Sequence, residues 1–436
     1  MRRNILFALI ILLLASFICL FIFRLVPAQS FTIVYLTSSF LFLIISMLIL
    51  KVELNSKQII ALLIAGILIR LLFINTTPIG SDDIYRYMWD GKVQAHGINP
   101  YLYSPVDASL NFLHSDKLPG LINFNSMKSI YFPLSQWIFY AGYSISGENV
   151  YGYKLLLFIF ELITIFSIYL LVKKLRIERK YILLYALCPL PIIQFALDAH
   201  VDGFGLPFLV LSLLFYLDNK KVLSLILLGI SFSIKPVGLV ILPILFFTEK
   251  TYVDRIKILI IPFIVFFIQF LPYIFTSNPF EAFLIYTKNW AFNGSVFLSL
   301  YHFIQNNQVA RKVCSLILLV LVFIIAISKK DFLWKVYYSV LLLFILSPVV
   351  HPWYITWIAI LLPVYPQKSG LLFVCLSSLT AFTVLNYKLN GIWTENPWII
   401  TLEYVPVLLF MFYEMFWTNP EIHYRYKEGQ NNIENI

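Results

Sequence analysis

Gly80-Ser-Asp-Asp-Ile-Tyr-Arg-Tyr-Met-Trp-Asp-Gly-Lys92, continued by His96-Gly-Ile-Asn-Pro-Tyr101, is a polar stretch in a chain that is otherwise apolar. Two adjacent carboxylates, an arginine and a set of Tyr and Trp side chains lie just past the third hydrophobic run. Around this stretch, 60% of residues are hydrophobic and only 12% are charged, whereas charged residues make up about a quarter of a soluble domain. The chain therefore reads as an all-α polytopic membrane protein. The aromatic content of 17% suits lipid-facing Phe with Tyr and Trp at the two interfaces. No polar region is large enough to fold as a separate soluble domain.

The formal charge of +10 falls mostly in short Lys/Arg clusters between apolar segments, as in cytoplasmic loops, so it argues topology and not a nucleic-acid partner. Cys19, Cys188, Cys314 and Cys375 sit inside apolar runs without CxxC spacing, which indicates neither a disulfide framework nor a zinc site. Met1-Arg2-Arg3 ahead of the run 5–25 looks like a signal-peptide start. The run is too long and lacks a small-x-small cleavage site, so it is expected to stay as a first span.

A span needs about 20 apolar residues. The further candidates are 31–50, 58–74, 151–172, 181–197, 203–217, 222–234, 237–247, 258–276, 313–328, 332–348, 353–366, 369–386 and 398–417, which gives a bundle of about 12–14 helices. With Arg2 and Arg3 inside, the positive-inside rule sends residues 75–150 outside, provided that 129–148 dips in as a re-entrant piece. Lys173-Lys174-Leu-Arg176-Ile-Glu-Arg179-Lys180 and the tail 418–436 then face the cytoplasm. On this map 1–417 is one transmembrane domain with an extracytoplasmic loop at 75–150. The same outer face receives Asp198-Ala-His200-Val-Asp202, the Lys235-Pro236 break, a loop at 277–312 and His351-Pro-Trp-Tyr354.

Ser81 is a good helix N-cap, with Asp82 and Asp83 in the first turn and Gly97 followed by Asn99-Pro100 as the stop. Such a helix would lie along the membrane with Met88 and Trp89 dipping into it. One reading of the acids is local: they cap the helix, and Arg86 pairs with Asp82, Asp83 or Asp90 at three- and four-residue spacing. The other is that one of them is a general base at the membrane surface, among tyrosines and a tryptophan of the kind that bind sugars. Lys235, between two half-length apolar helices, is either a snorkelling lysine or a phosphate-binding cation. His200 and Asp202 suit a sugar hydroxyl, a phosphate or a metal, or simply each other. His351, Trp353 and Tyr354 suit interfacial anchoring equally. No zinc-peptidase, P-loop or serine-hydrolase motif is present.

Asp83-Ile-Tyr-Arg-Tyr-Met-Trp-Asp-Gly91 with Gly97-Ile-Asn-Pro-Tyr101 resembles the first-loop motif of GT-C fold glycosyltransferases, of the polyprenyl-phosphate-mannose-dependent mannosyltransferase type. Tyr131-Phe-Pro-Leu134 is similar to that family's Tyr-Pro-Pro-Leu, with Phe132 replacing the first proline. Ala199-His-Val-Asp202 and Ser347-Pro-Val-Val-His-Pro-Trp-Tyr354 also look like its elements. The resemblance implies a GT-C-like bundle in the cytoplasmic (inner) membrane, with membrane-parallel helices in the first outer loop and an active site on the extracytoplasmic face. It implies inverting transfer of a hexose, mannose first, from a polyprenyl-phosphate donor to a glycan or lipid acceptor. Asp83 would be the base, with Asp82 as second choice. Arg86, Tyr87, Asp90, Asn99, Tyr101, His200, Asp202, Lys235, His351, Trp353 and Tyr354 would bind substrate. No cofactor is implied, and a divalent metal is allowed but not required. The rival is a transporter or flippase of lipid-linked sugars, which paired pseudo-symmetric repeats would favour; no such repeat is evident. A scaffold subunit with a degenerate site is the third reading.

Overall fold

The computed structural model describes residues 1–22 and 28–417; the tail at 418–436 lies outside the described residues. Among them the named elements are all helical, and the extended pairing recorded is an isolated parallel bridge between Phe292 and Val349. In chain order come α1 (Arg2–Ile22), α2 (Ala28–Ile49), α3 (Ser56–Leu72), α4 (Asp83–Ala95), α5 (Pro133–Ser146) and α6 (Val150–Lys174). Two single turns follow, α7 (Leu183–Ala186) and α8 (Pro189–Pro191), then α9 (Leu206–Leu217), α10 (Lys221–Phe232), α11 (Leu242–Thr248), α12 (Tyr252–Ile268), α13 (Glu281–Asn289) and α14 (Ser295–Ile304). The chain closes with α15 (Asn307–Ile327), α16 (Phe332–Leu346), α17 (Pro352–Ala359), α18 (Lys368–Leu376), α19 (Ala381–Asn390) and α20 (Pro397–Phe416).

Helix ends follow local chemistry. Asn55 and Gln58 form a reciprocal capping box on α3, and Asn149, Asn306, Asp331 and Asn396 cap α6, α15, α16 and α20 through their side chains, each satisfying an otherwise orphaned N–H. α6 ends on Lys173 and Lys174, cations suited to the negative end of a helix.

Among the described residues, six helices are long and apolar enough to cross a membrane: α1, α2, α6, α15, α20 and the continuous run Lys368–Asn390. A seventh crossing arises if Arg179–Ala186 and Pro189–Leu197, bent by 41°, form one broken span. Other apolar segments are carried by shorter helices such as Val201–Leu217, Pro236–Thr248 and Phe332–Leu346. Apolar side chains are exposed along the long helices, among them Ile11, Leu319 and Leu409, as a lipid-facing surface requires. The protein is a polytopic all-α membrane protein.

The segment read as re-entrant contains α5, whose 14 residues rise about 21 Å, short of the roughly 30 Å hydrocarbon core. It packs on α4 instead: a Cβ at Gly91 would stand 2.4 Å from the Phe139 carbonyl oxygen, so only glycine allows this approach. Tyr87 stacks on Phe139 at 4.4 Å. This pairing corrects one expectation: Met88 and Trp89 do not dip into lipid but are 2% and 1% exposed, inside a second core beneath the 75–150 segment with Leu110, Leu113, Phe139 and Tyr153. Residues 277–312, expected as a loop, instead carry α13, α14 and the start of α15.

Candidate active site

α4 begins at Asp83, with Asp82 in the cap position. Neither acid does the capping work expected of it: the Asp82 side chain makes no cap hydrogen bond, and the Ser81 hydroxyl accepts from the Asp83 N–H at 3.2 Å. Arg86 takes the third of its three candidate partners, Asp90, at 2.8 Å, and also donates to the Met127 carbonyl. Asp90 in turn accepts from Ser129 at 2.5 Å and Gln136 at 2.9 Å. It is buried and serves as the knot between α4 and α5.

The Asp83 carboxylate faces outward from this knot and lies 3.3 Å from His200 Nδ1. Burial pushes its pKa up, but the contact with His200, helped by His351 and Lys235, outweighs that and leaves it below the ordinary aspartate value. Asp83 is thus held as the carboxylate. The segment that brings His200 leaves a π-helical turn at Ile192–Leu197. Its Asp198 accepts the N–H groups of Ile79 at 2.9 Å and Gly80 at 2.8 Å.

Asp202, wholly buried, binds Lys235 through both carboxylate oxygens at 2.9 and 3.0 Å and accepts the Trp357 indole N–H at 2.9 Å. The Lys235 ammonium also sits 3.1 Å from the centre of the Tyr354 ring, a cation–π contact. Lys235 lies between the end of α10 at Phe232 and the 3-10 turn Pro236–Ile241, whose first residue has no N–H to continue the preceding helix. It is therefore neither a snorkelling lysine nor a free cation but one arm of an ion pair whose ammonium still borders a cavity.

The other wall is a column of rings. His200 stacks on Trp353 at 3.6 Å, Trp353 on His351 at 4.2 Å and His351 on Phe292 at 4.5 Å. Both faces of Trp353 are covered, so its ring has none left to stack on a sugar. Burial pushes the His351 imidazolium down to about 3, which leaves it neutral near pH 7. Tyr354 meets the Tyr286 hydroxyl at 3.1 Å.

These groups border one cavity of about 620 Å³. Of the residues singled out from sequence, Asp82, Asp83, Arg86, Tyr87, Asp202, Lys235, His351, Trp353 and Tyr354 line it. His200 does not: it is 1% exposed and stands behind Asp83, with neither ring nitrogen in a hydrogen bond. Asp90, Asn99 and Tyr101 also stand away from the lining. Asn99 is tied to Thr276 and Ser277, and the Tyr101 hydroxyl donates to the Tyr131 carbonyl. Expected as substrate-binding groups, these four do not reach the cavity lining, and Asp90, Asn99 and Tyr101 bond instead to neighbouring segments.

Sequence reading passed over Asp198, Tyr286 and Lys388, all of which line the cavity. Asp198 could have been found, since it opens the same turn as His200. Tyr286 lay in a presumed loop. Lys388, which reaches the Ile79 carbonyl, looks in sequence like any surface lysine. Among the described residues no group of three or more His, Cys, Asp or Glu side chains is disposed to hold a metal ion.

The family model described as "Alpha-(1->6)-mannopyranosyltransferase, N-terminal domain" (MptA_B family) matches residues 15–249. No curated protein and no solved structure matches the chain.

Proposed function

Because the chain belongs to the alpha-(1->6)-mannopyranosyltransferase family, we propose that it moves mannose from a polyprenyl-phosphate carrier to a glycan or lipid acceptor on the extracytoplasmic face of the cytoplasmic membrane. In this reading 1–417 is a single GT-C transferase domain and 75–150 its outer catalytic loop. The acceptor hydroxyl oxygen forms a bond to the anomeric carbon from the face opposite the phosphate, the hydroxyl proton passes to Asp83, and the C–O bond to phosphate breaks with inversion. The electron pair leaves as polyprenyl phosphate. That leaving group is already a weak base, so it needs charge neutralisation more than a proton. Lys388 and the ion-paired Lys128, Lys235 and Arg86 are the cations on the cavity lining that could take this task.

The observation that carries the reading is the Asp83 carboxylate, kept ionised at the wall of a cavity that Lys235 also borders. Glycosidic transfer needs a base on the acceptor side and positive charge on the donor side of one enclosed space, and this pair supplies both. The test is Asp83→Asn, assayed with purified protein, a labelled short-chain polyprenyl-phosphate mannose and an alkyl α-mannoside. Transfer should drop by roughly 10²–10⁴-fold, the usual worth of a positioned base, with expression and membrane insertion unchanged. Full activity would remove Asp83 from the chemistry, and selective loss in Asp82→Asn would move the role to its neighbour.

A further inference from the structure

The residues between α3 and Asp83 belong to no regular element, yet a general base has to be held to a fraction of an ångström. What fixes this loop comes from a distant part of the chain. Asp198, 1% exposed, accepts the N–H groups of both Ile79 and Gly80 through Oδ1. Gly80 is obliged by this contact, since a Cβ there would stand 2.4 Å from Asp198 Oδ2. Ala199 takes the left-handed conformation, φ +63°, unusual for a residue with a Cβ. Asp198 and His200, on either side of it, therefore reach the same loop: one at its backbone, the other 3.3 Å from the Asp83 carboxylate. Beneath them the Lys154 ammonium joins the two sides, donating to Leu197 O at 2.6 Å and to Phe73 O and Thr76 Oγ1 at 3.2 Å.

We infer that Asp198 is a positioning residue for transfer: it clasps the backbone at Ile79 and Gly80 so that His200, two residues on, backs the Asp83 carboxylate at the cavity wall. The inference rests on Asp83 being the base. Charge-assisted bonds from two backbone N–H groups to one carboxylate are among the stronger contacts a loop can have. They act on the loop itself and occupy neither Asp83 oxygen. Asp83 is faced by His200, His351 and Lys235, and Asp198 by His200 and Lys154; those groups set the titration that the test reads.

The experiment compares Asp198→Ala and Asp198→Asn in purified full-length protein, reading amide hydrogen exchange over residues 76–85 and transfer from the labelled donor across pH. Asp198→Ala should speed exchange in that segment and lower kcat on the order of a hundredfold, the cost of about an ångström of misplacement, with the donor KM near wild type. The acid limb of the pH–rate profile should rise, because Asp83 loses the His200 contact that keeps it ionised. Asp198→Asn keeps an oxygen acceptor and should restore slow exchange and most of the rate. It also decides the matter if the alanine protein does not fold. Wild-type exchange and rate in Asp198→Ala, faster exchange with an unchanged rate, or an asparagine variant as impaired as the alanine one would each overturn the inference. The exchange readout does not depend on which group is the base, so failure of Asp83 in that role, seen as transfer retained by Asp83→Asn, is told apart from failure of the clasp.

Discussion

With Asp83 as the proposed base, that residue and its immediate neighbours would set the pH dependence of transfer. A carboxylate whose pKa is lowered in the folded protein is lost as a base only when pH falls through that lowered value. The acid limb of kcat/KM should therefore lie below the ordinary aspartate range of about 3.9, and His200→Ala should move it up toward that range; a limb unchanged by the substitution would separate His200 from Asp83. His351, pushed down to about 3, should contribute no limb near neutrality. Lys235 calls for a paired test. Lys235→Ala alone leaves Asp202 buried without its cation, which typically costs about 3–5 kcal/mol, so lost transfer there would mix chemistry with unfolding. The double variant Asp202→Asn with Lys235→Met removes both charges. It should melt close to wild type in detergent yet remain inactive, and recovery of transfer in it would take Lys235 out of donor binding.

At the scale of elements, the contact between α4 and α5 is what turns a polar loop into a wall. Gly91→Ala would drive a methyl group into the Phe139 carbonyl. Overpacking of this kind costs about 1–3 kcal/mol, so both melting temperature and transfer should fall, whereas Gly97→Asn, at a left-handed turn with open space around it, should change neither appreciably. The ends of α4 were legible in sequence to within about a residue, from Ser81-Asp82 ahead of it and Gly97 and Pro100 after it, although the cap falls on Asp82 without a side-chain hydrogen bond. The Lys235-Pro236 break was legible for the same reason. What sequence could not give was partnership across the chain. Arg86 had three partners at permitted spacing, and only the approach of Ser129 and Gln136 to Asp90 selects one. The family resemblance implies that Asp90, Asn99 and Tyr101 bind substrate, yet polar groups of this kind can equally pair within the protein, and that is where these three bond. Met88 and Trp89 look lipid-facing on a helical wheel and become core once α5 covers them.

For the whole molecule, the family match at residues 15–249 contains the proposed base, the Asp198 clasp, His200 and Lys235, but not the other three rings of the column. His351, Trp353 and Tyr354 come from the start of α17, and Phe292 is paired beside His351 by backbone hydrogen bonds to Pro348 and Val350, with Asn293 as the next residue. The hydrogen bonds of Asn293 run to the C-terminal region: its N–H to Glu395 at 2.6 Å, its side-chain amide to Glu403 at 3.0 Å, and its carbonyl accepts from the Tyr404 hydroxyl at 2.7 Å. Deletion from Gly391 onward should therefore abolish transfer although the family-matched half is intact, measured as product formed per inserted protein; undiminished transfer would show that α20 is not needed to seat Phe292. The same dependence has a meaning in time. A ribosome feeding this chain into the membrane delivers Asp83, Asp198 and Lys235 long before His351, Trp353 and Tyr354, and the anchors of Asn293 come later still, with Glu395 and α20. The cavity is thus completed only after α20 has been made, so a chain terminated before Gly391 carries the proposed base without the ring contacts that α20 anchors.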